Sequence, residues 1–344
     1  MPHPALPRLR AGLAALLLGA ALLTACASVP APHPAPAAVA PAPAPAAWRD
    51  LIGDYAHSAQ ILIVREADGR LEALTGKDGA PVALDGAGAA YRSRDGRAFA
   101  FTRDADGRAQ AVRVQGVEYR RVAHDTPDGG SFRIEPLHPV EELRDAALAA
   151  TPPLEKGSFR AAELVELAPL DPAIRLDIRY ASTNNFLGVP LYTQARAFLQ
   201  RPAAQALLRA QRELAREGYG LLIHDGYRPW YVTKMFWDAT PDAQKEFVAD
   251  PSKGSRHNRG CAVDLTLYEL ASGAPIEMTG GYDEMTARSY PDYPGGTTRQ
   301  RWHRDLLRRA MEAQGFTVYP TEWWHFDYVD WPQYAIGTAA FEEL

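Results

Sequence analysis

The chain has 344 residues and a formal net charge of −5, from 37 Lys and Arg against 42 Asp and Glu. No basic stripe runs through it, which excludes nucleic acid as an expected partner. Its two cysteines are too few for a disulfide scaffold, and a hydrophobic fraction of 47% is that of a globular chain.

Residues 1–25 read as a targeting segment. Arg8 and Arg10 give a positive flank, and the apolar run at 11–23 is too short to span a bilayer comfortably. The run ends Leu23-Thr24-Ala25-Cys26, which resembles the lipobox of bacterial lipoproteins. That resemblance implies acylation of Cys26 and a membrane anchor without a spanning helix. A plain signal peptide cut nearby, or an uncleaved anchor, are the alternatives. Ala27 supplies no retention signal of the aspartate type, so the expected location is an outer membrane facing the periplasm. Residues 26–47, rich in Pro and Ala, predict an extended tether.

Residues 48–130 read as a small all-β domain. Turn dipeptides recur at Asp68-Gly69, Asp78-Gly79, Asp95-Gly96, Asp106-Gly107 and Gln115-Gly116, with short alternating runs between them. This spacing predicts an antiparallel meander or small barrel. It resembles the lipocalin-like β-domains appended to some bacterial serine hydrolases. His57 and His124 stand alone in sequence and read as surface or packing residues. A spacer is the plainer role; a module binding cell-wall material is the sharper one. Residues 131–160 form a connector, with a helix opening at Pro139 and ending before Thr151-Pro152-Pro153.

Residues 161–344 interleave strands and helices, which predicts an α+β domain with a mixed or antiparallel sheet. Strands are expected at 164–167, 174–180, 220–223, 261–268, 316–319 and 324–329. Helices are expected at 202–217, 230–237, 242–248 and 297–314. The last has an apolar stripe of Trp302, Leu306, Ala310 and Ala313, which leaves His303 off the stripe and exposed. Cys261 falls on the core face of its strand and reads as a buried, inert thiol.

The chemistry gathers in two runs. Ser255-Arg256-His257-Asn258-Arg259-Gly260-Cys261-Ala262-Val263-Asp264 supplies a His and an Asp, and Glu322-Trp323-Trp324-His325 a Glu and a second His. His257, Asp264 and His325 can build a three-ligand zinc site whose fourth position stays open for catalysis, with Glu322 as base. On one helix His257 and Asp264 would be about 10 Å apart, too far to share an ion. His257 is therefore expected on a loop that folds back over a strand carrying Asp264. Glu322 and His325 would face opposite sides of a regular strand, so the chain is expected to turn before Trp324. Arg228, between Gly226-Tyr227 and Pro229, can stabilise an oxyanion, or can be a structural partner of Asp225.

Ser-x-His-x-x-Gly-x-Ala-x-Asp followed by Glu-x-Trp-His resembles the zinc D-alanyl-D-alanine dipeptidases, relatives of the D,D-carboxypeptidases. Asp177-Ile178-Arg179-Tyr180-Ala181 with Asn185-Phe186, Asp225-Gly226-Tyr227-Arg228-Pro229 and the run at 278–283 resemble further family signatures. The resemblance covers residues 161–344. It implies one zinc held by His257, Asp264 and His325, Glu322 as base and Arg228 on the transition state. It also implies Asp283 on the substrate amine and Ser255 in substrate binding. The expected substrate is a small D,D-dipeptide or a peptidoglycan-derived peptide. Two other readings stay open: a D,D- or L,D-carboxypeptidase or endopeptidase, and a non-catalytic wall-binding lipoprotein.

Overall fold

The computed structural model describes residues 1–2, 39–124 and 132–344. Cys26, the rest of the expected targeting segment after residue 2 and most of the Pro/Ala-rich stretch lie outside the described residues, as does the junction at 125–131. Of the described residues of the Pro/Ala stretch, only the last two, Ala46 and Ala47, are helical. Ala44 is buried, and α1 (Ala46–Arg49) makes one helical turn.

Eight strands follow: β1 (Gly53–His57), β2 (Gln60–Ala67), β3 (Arg70–Thr75), β4 (Val82–Ala87), β5 (Ala90–Ser93), β6 (Ala98–Arg103), β7 (Ala109–Val114) and β8 (Val117–Arg121). Each pairs antiparallel with the next, and β8 returns to β1 at Tyr55–Arg121, closing a barrel that leaves no unpaired edge. Asp68 and Gly69 have φ of 48° and 75°, and Gln115 and Gly116 have 50° and 88°. Positive φ at both central residues gives the two-residue turn whose twist matches a hairpin. On β6, Phe99 and Phe101 point inward between exposed neighbours, and Phe101 meets Tyr55 and Tyr91 edge-on. The interior is packed with side chains.

The connector carries α2 (Val140–Ala149), opened by Pro139 with Glu141 and Glu142 in its first turn. The second domain then contains β9 (Leu164–Glu166), β10 (Arg175–Leu176), β11 (Phe198–Gln200), α3 (Arg201–Arg216), β12 (Tyr219–Asp225), α4 (Trp230–Ala239), β13 (Ala262–Glu269), α5 (Thr298–Glu312), β14 (Phe316–Tyr319) and β15 (Glu322–Tyr328). Its main sheet has the order β10-β12-β13-β15-β14, parallel only between β10 and β12. β9 and β11 form a separate antiparallel pair. Helices α3 and α5 pack on each other and on this sheet, and α2 packs on α4. Leu207, Val263, Leu265, Leu267, Leu307 and Phe326 belong to the one large core that results.

Several expectations are corrected. The alternating run at 174–180 yields only the two-residue β10. One further bond, from Asp177 N to Ile223 O, ends the pairing, and a 3-10 turn (Arg179–Ala181) then turns Tyr180 inward. Residues 242–248 form a 3-10 turn, not an α-helix. His303 is buried, not exposed, because its Nε2 meets the Tyr219 hydroxyl at 3.0 Å, while Ala313 is the exposed residue. Both faces of β13 are buried, so the polar face carrying Asp264 lines an interior site.

The barrel is docked against the second domain. Ile63 and Leu74 pack on Tyr293, and the Glu66 amide donates to Gly296 O.

Gly226 lies in the turn between β12 and α4, where a Cβ would stand 2.7 Å from the backbone oxygen of Phe198. Backbone cannot swing aside as a side chain can. Gly226→Ala is expected to lower stability by about 1–3 kcal/mol in urea unfolding; an unchanged midpoint would show that the turn has slack.

Candidate metal centre

Asp264 on β13 is paired directly with His325 on β15, so both side chains leave the sheet on one face. His257 reaches them from a 3-10 turn (His257–Arg259) that precedes β13. Gly260 closes this turn at φ 66°, a left-handed conformation that glycine adopts without strain. The His257 amide donates to Ser255 Oγ at 3.2 Å, and the Ser255 amide donates to Asn258 Oδ1 at 2.8 Å. Asn258 Nδ2 in turn donates to Arg228 O at 2.8 Å, while Arg228 N donates to His257 O at 3.1 Å. The loop that carries His257 and the turn that carries Arg228 are thus tied together.

The three side chains meet at a point. His257 Nε2 is 3.1 Å from His325 Nδ1 and 3.3 Å from Asp264 Oδ1, and the last two atoms are 3.1 Å apart. Ligands at about 2.0–2.1 Å from a tetrahedral zinc stand about 3.3 Å from one another. The outer nitrogens fix the tautomers. His257 Nδ1 donates to Gly226 O at 2.7 Å and His325 Nε2 donates to Asp327 Oδ1 at 2.9 Å, which leaves the two inner nitrogens as lone-pair donors. Asp264 Oδ1 is buried and accepts no hydrogen bond, whereas Oδ2 accepts from Tyr282 at 3.0 Å. A buried carboxylate oxygen without a partner, facing two imidazole nitrogens, suits a divalent cation.

Glu322 is brought beside this group, with Oε2 3.5 Å from His325 Nδ1. The chain does not turn before Trp324 to achieve this. Glu322 already belongs to β15, and the register against β14 slips between Val318–Phe326 and Tyr319–Glu322. The bulge gives β15 extra residues against its partner, so two positions three apart can serve one site. Burial pushes the Glu322 carboxyl up to about 7, with the Asp264 charge adding to it and His325 opposing.

These groups line a small cleft together with Arg228, Asp283, Ser255, Tyr180 and Phe236. The Arg228 guanidinium lies over the rings of Phe236 and Tyr180, and its Nε and Nη2 donate to Asp225 Oδ2 at 2.9 and 2.8 Å. Its Nη2 is also 3.6 Å from Asp264 Oδ2. Arg228 is therefore both a partner of Asp225 and a cation at the cleft. Asp283 accepts from Tyr180 at 3.0 Å on both oxygens and sits at φ 57°. A non-glycine residue there costs about 1–3 kcal/mol and persists only where its surroundings hold it. Burial, then the nearby Asp264 and Glu322 carboxylates, push Asp283 well above the usual range.

Other residues of the site went unnoticed in sequence. Asp327 follows His325 by two on a strand, so period-two alternation alone places it on the same face. Tyr180 lies inside the Asp-Ile-Arg-Tyr-Ala run. Tyr282 lies inside the run at 278–283, while Tyr192, which donates to Asp225 Oδ1 at 2.8 Å, carries no sequence signal. His224 does not reach the metal ligands; its ring lies against Tyr282 at 4.6 Å. Cys261 is fully buried, and burial pushes its thiol up to about 12.

The family profile described as D-Ala-D-Ala dipeptidase matches residues 160–341. The D-alanyl-D-alanine dipeptidase of Escherichia coli (strain K12) is 38% identical over 165 residues, which cover 48% of this chain and 84% of the relative. The dipeptidase of the same name from Enterococcus faecalis is 36% identical over 180 residues, covering 46% of this chain and 88% of the relative. One from Streptomyces coelicolor is 36% identical over 171 residues, covering 44% and 85%. Matched over more than half its length, with His257, Asp264, His325 and Glu322 all inside the matched span, this chain belongs to the D-Ala-D-Ala dipeptidase family of peptidases.

Proposed function

We propose that the chain is a zinc peptidase that hydrolyses D-alanyl-D-alanine. The convergence of His257 Nε2, His325 Nδ1 and Asp264 Oδ1, with the Glu322 carboxylate beside them, carries this reading. The names of the relatives supply the dipeptide, and a small cleft with a buried carboxylate for a free amine agrees with it. His257, Asp264 and His325 would hold the ion. Zinc supplies Lewis acidity there, toward a peptide carbonyl and toward water.

The protein's own groups divide the remaining work. Glu322 takes the proton of the attacking water and passes it to the departing amine. Burial raises the Glu322 carboxyl above its ordinary value and so makes it a stronger base than an exposed carboxylate. Arg228 faces the charge that develops on the carbonyl oxygen, and Asp225 with the two aromatic rings keeps it from swinging away. Asp283 receives the substrate ammonium, whose charge favours the ionised carboxylate that burial otherwise resists. Ser255 acts through the loop, since its hydroxyl holds the His257 amide.

We also propose that the enzyme is a lipoprotein, acylated at Cys26 and held at an outer membrane facing the periplasm. The Leu23-Thr24-Ala25-Cys26 run supports this. Cys26→Ser is expected to move the protein from the membrane to the soluble fraction of the producing cells. An unchanged membrane fraction would contradict it.

The catalytic reading is tested by hydrolysis of a panel of D,D-, L,D- and L,L-dipeptides beside a longer stem peptide, with and without chelator. Chelator-sensitive cleavage confined to D-Ala-D-Ala is expected. Preference for the stem peptide would instead favour a carboxypeptidase, and no cleavage by zinc-loaded protein a binding role. Glu322→Gln is expected to retain zinc and lose turnover about 10²–10⁴-fold. Undiminished hydrolysis by that variant would remove Glu322 from the role of base.

A further inference from the structure

The segment between β13 and α5 carries Asp283 into the cleft and Tyr282 onto Asp264, and it is knotted at Glu284. Glu284 Oε2 accepts the Gly281 amide at 2.9 Å, Oε1 accepts the Thr286 hydroxyl at 2.7 Å, and the Ser289 hydroxyl donates to the Glu284 carbonyl. The residue next to this knot, Asp283, stands in a left-handed backbone conformation that a side chain rarely adopts. Something must hold it there.

Part of the hold comes from outside the peptidase domain. His124, just beyond β8, brings Nδ1 to 3.2 Å from Glu284 Oε1, while its Nε2 makes no hydrogen bond. Asp54, on β1, accepts a hydrogen bond from the Tyr293 hydroxyl, further along the same segment. Burial, with Arg288 and Arg121 nearby, pushes His124 down to about 3, so the imidazole is neutral and the buried contact strands no positive charge. The far end of the segment is fastened separately. Thr298 N donates to Glu66 Oε2 at 2.8 Å, Arg301 Nη2 donates to Glu66 O at 2.9 Å, and Arg65 Nη1 donates to Pro294 O at 3.1 Å.

We propose that the barrel is a positioning element of the active site: through His124 and Asp54 it braces the segment at 280–293 and so fixes Asp283 in the cleft. His124 and Asp54 are positioning residues, since neither lines the cleft. The barrel side of the molecule thereby contributes to substrate binding without touching substrate. The consequence for substrate rests on the dipeptidase reading above; the bracing itself does not.

The test compares the full chain with His124→Ala and with Tyr293→Phe, which removes the hydroxyl on Asp54 and serves if the first variant does not fold. Hydrogen exchange reads the brace directly. Faster exchange of the amides at 281–289 is expected in either variant, with β12 and β13 unchanged; equal exchange in all three proteins would overturn the proposal. Kinetics on D-alanyl-D-alanine read the consequence. KM is expected to rise about tenfold with kcat and zinc content kept, because binding is lost and the chemistry is not. An unchanged KM in a variant whose segment has loosened would overturn the positioning role. Glu66→Ala, at the other fastening, is expected to lower the melting temperature and leave both readouts at the wild-type value. A comparable KM rise there would reduce the His124 effect to general destabilisation and overturn the proposal. If the parent protein does not cleave the dipeptide at all, the dipeptidase reading fails, and the exchange data still decide the brace.

Discussion

Two imidazole lone pairs and a carboxylate oxygen face one another within 3.3 Å in the buried site of the peptidase domain. Three electron-rich atoms so placed repel unless a positive charge sits among them. Much of the nearby structure exists to impose this arrangement. The Gly226 carbonyl and the Asp327 carboxylate hold the outer nitrogens, so that the inner ones have no proton of their own to offer. Tyr282 occupies the other oxygen of Asp264 and leaves the inward one bare. A divalent cation among these three atoms would relieve that repulsion, as in the zinc reading proposed above.

The fold delivers these groups from different distances in sequence. Asp264 and His325 face each other across two neighbouring strands, so the sheet ladder sets their spacing. His257 depends instead on a short turn stapled to the turn before α4 by Asn258 and the Arg228 amide. That staple also fixes Arg228, which lines the cleft, relative to His257. A displacement of either turn would disturb both side chains. Asp283 comes from another segment, between β13 and α5, which contacts the barrel at Asp54 and His124.

The convergence of His257, Asp264 and His325 was legible in sequence because their residue types carry chemistry and their spacing forbids a helix. Their neighbours were harder to read. Asp327 could have been placed by counting two along a strand from His325. Glu322 was assigned the right neighbourhood by the wrong route: an alternating pattern cannot show a bulge, and the slip opposite Tyr319 exists only once β14 and β15 are paired. The run at 174–180 looks like a strand by composition, yet tertiary contacts end it after two residues, because Tyr180 is needed on Asp283. His303 was misplaced because an apolar stripe omits a histidine that finds the Tyr219 hydroxyl as its partner. His124 had no readable role, since its contact with Glu284 joins residues 160 apart in the chain across a domain boundary.

The most direct measurement is anomalous diffraction at the zinc edge from crystals of the zinc-loaded protein. A single peak is expected among His257 Nε2, His325 Nδ1 and Asp264 Oδ1, each at about 2.0–2.2 Å from it. A peak held by other side chains, or none between these three atoms in zinc-saturated crystals, would contradict the account.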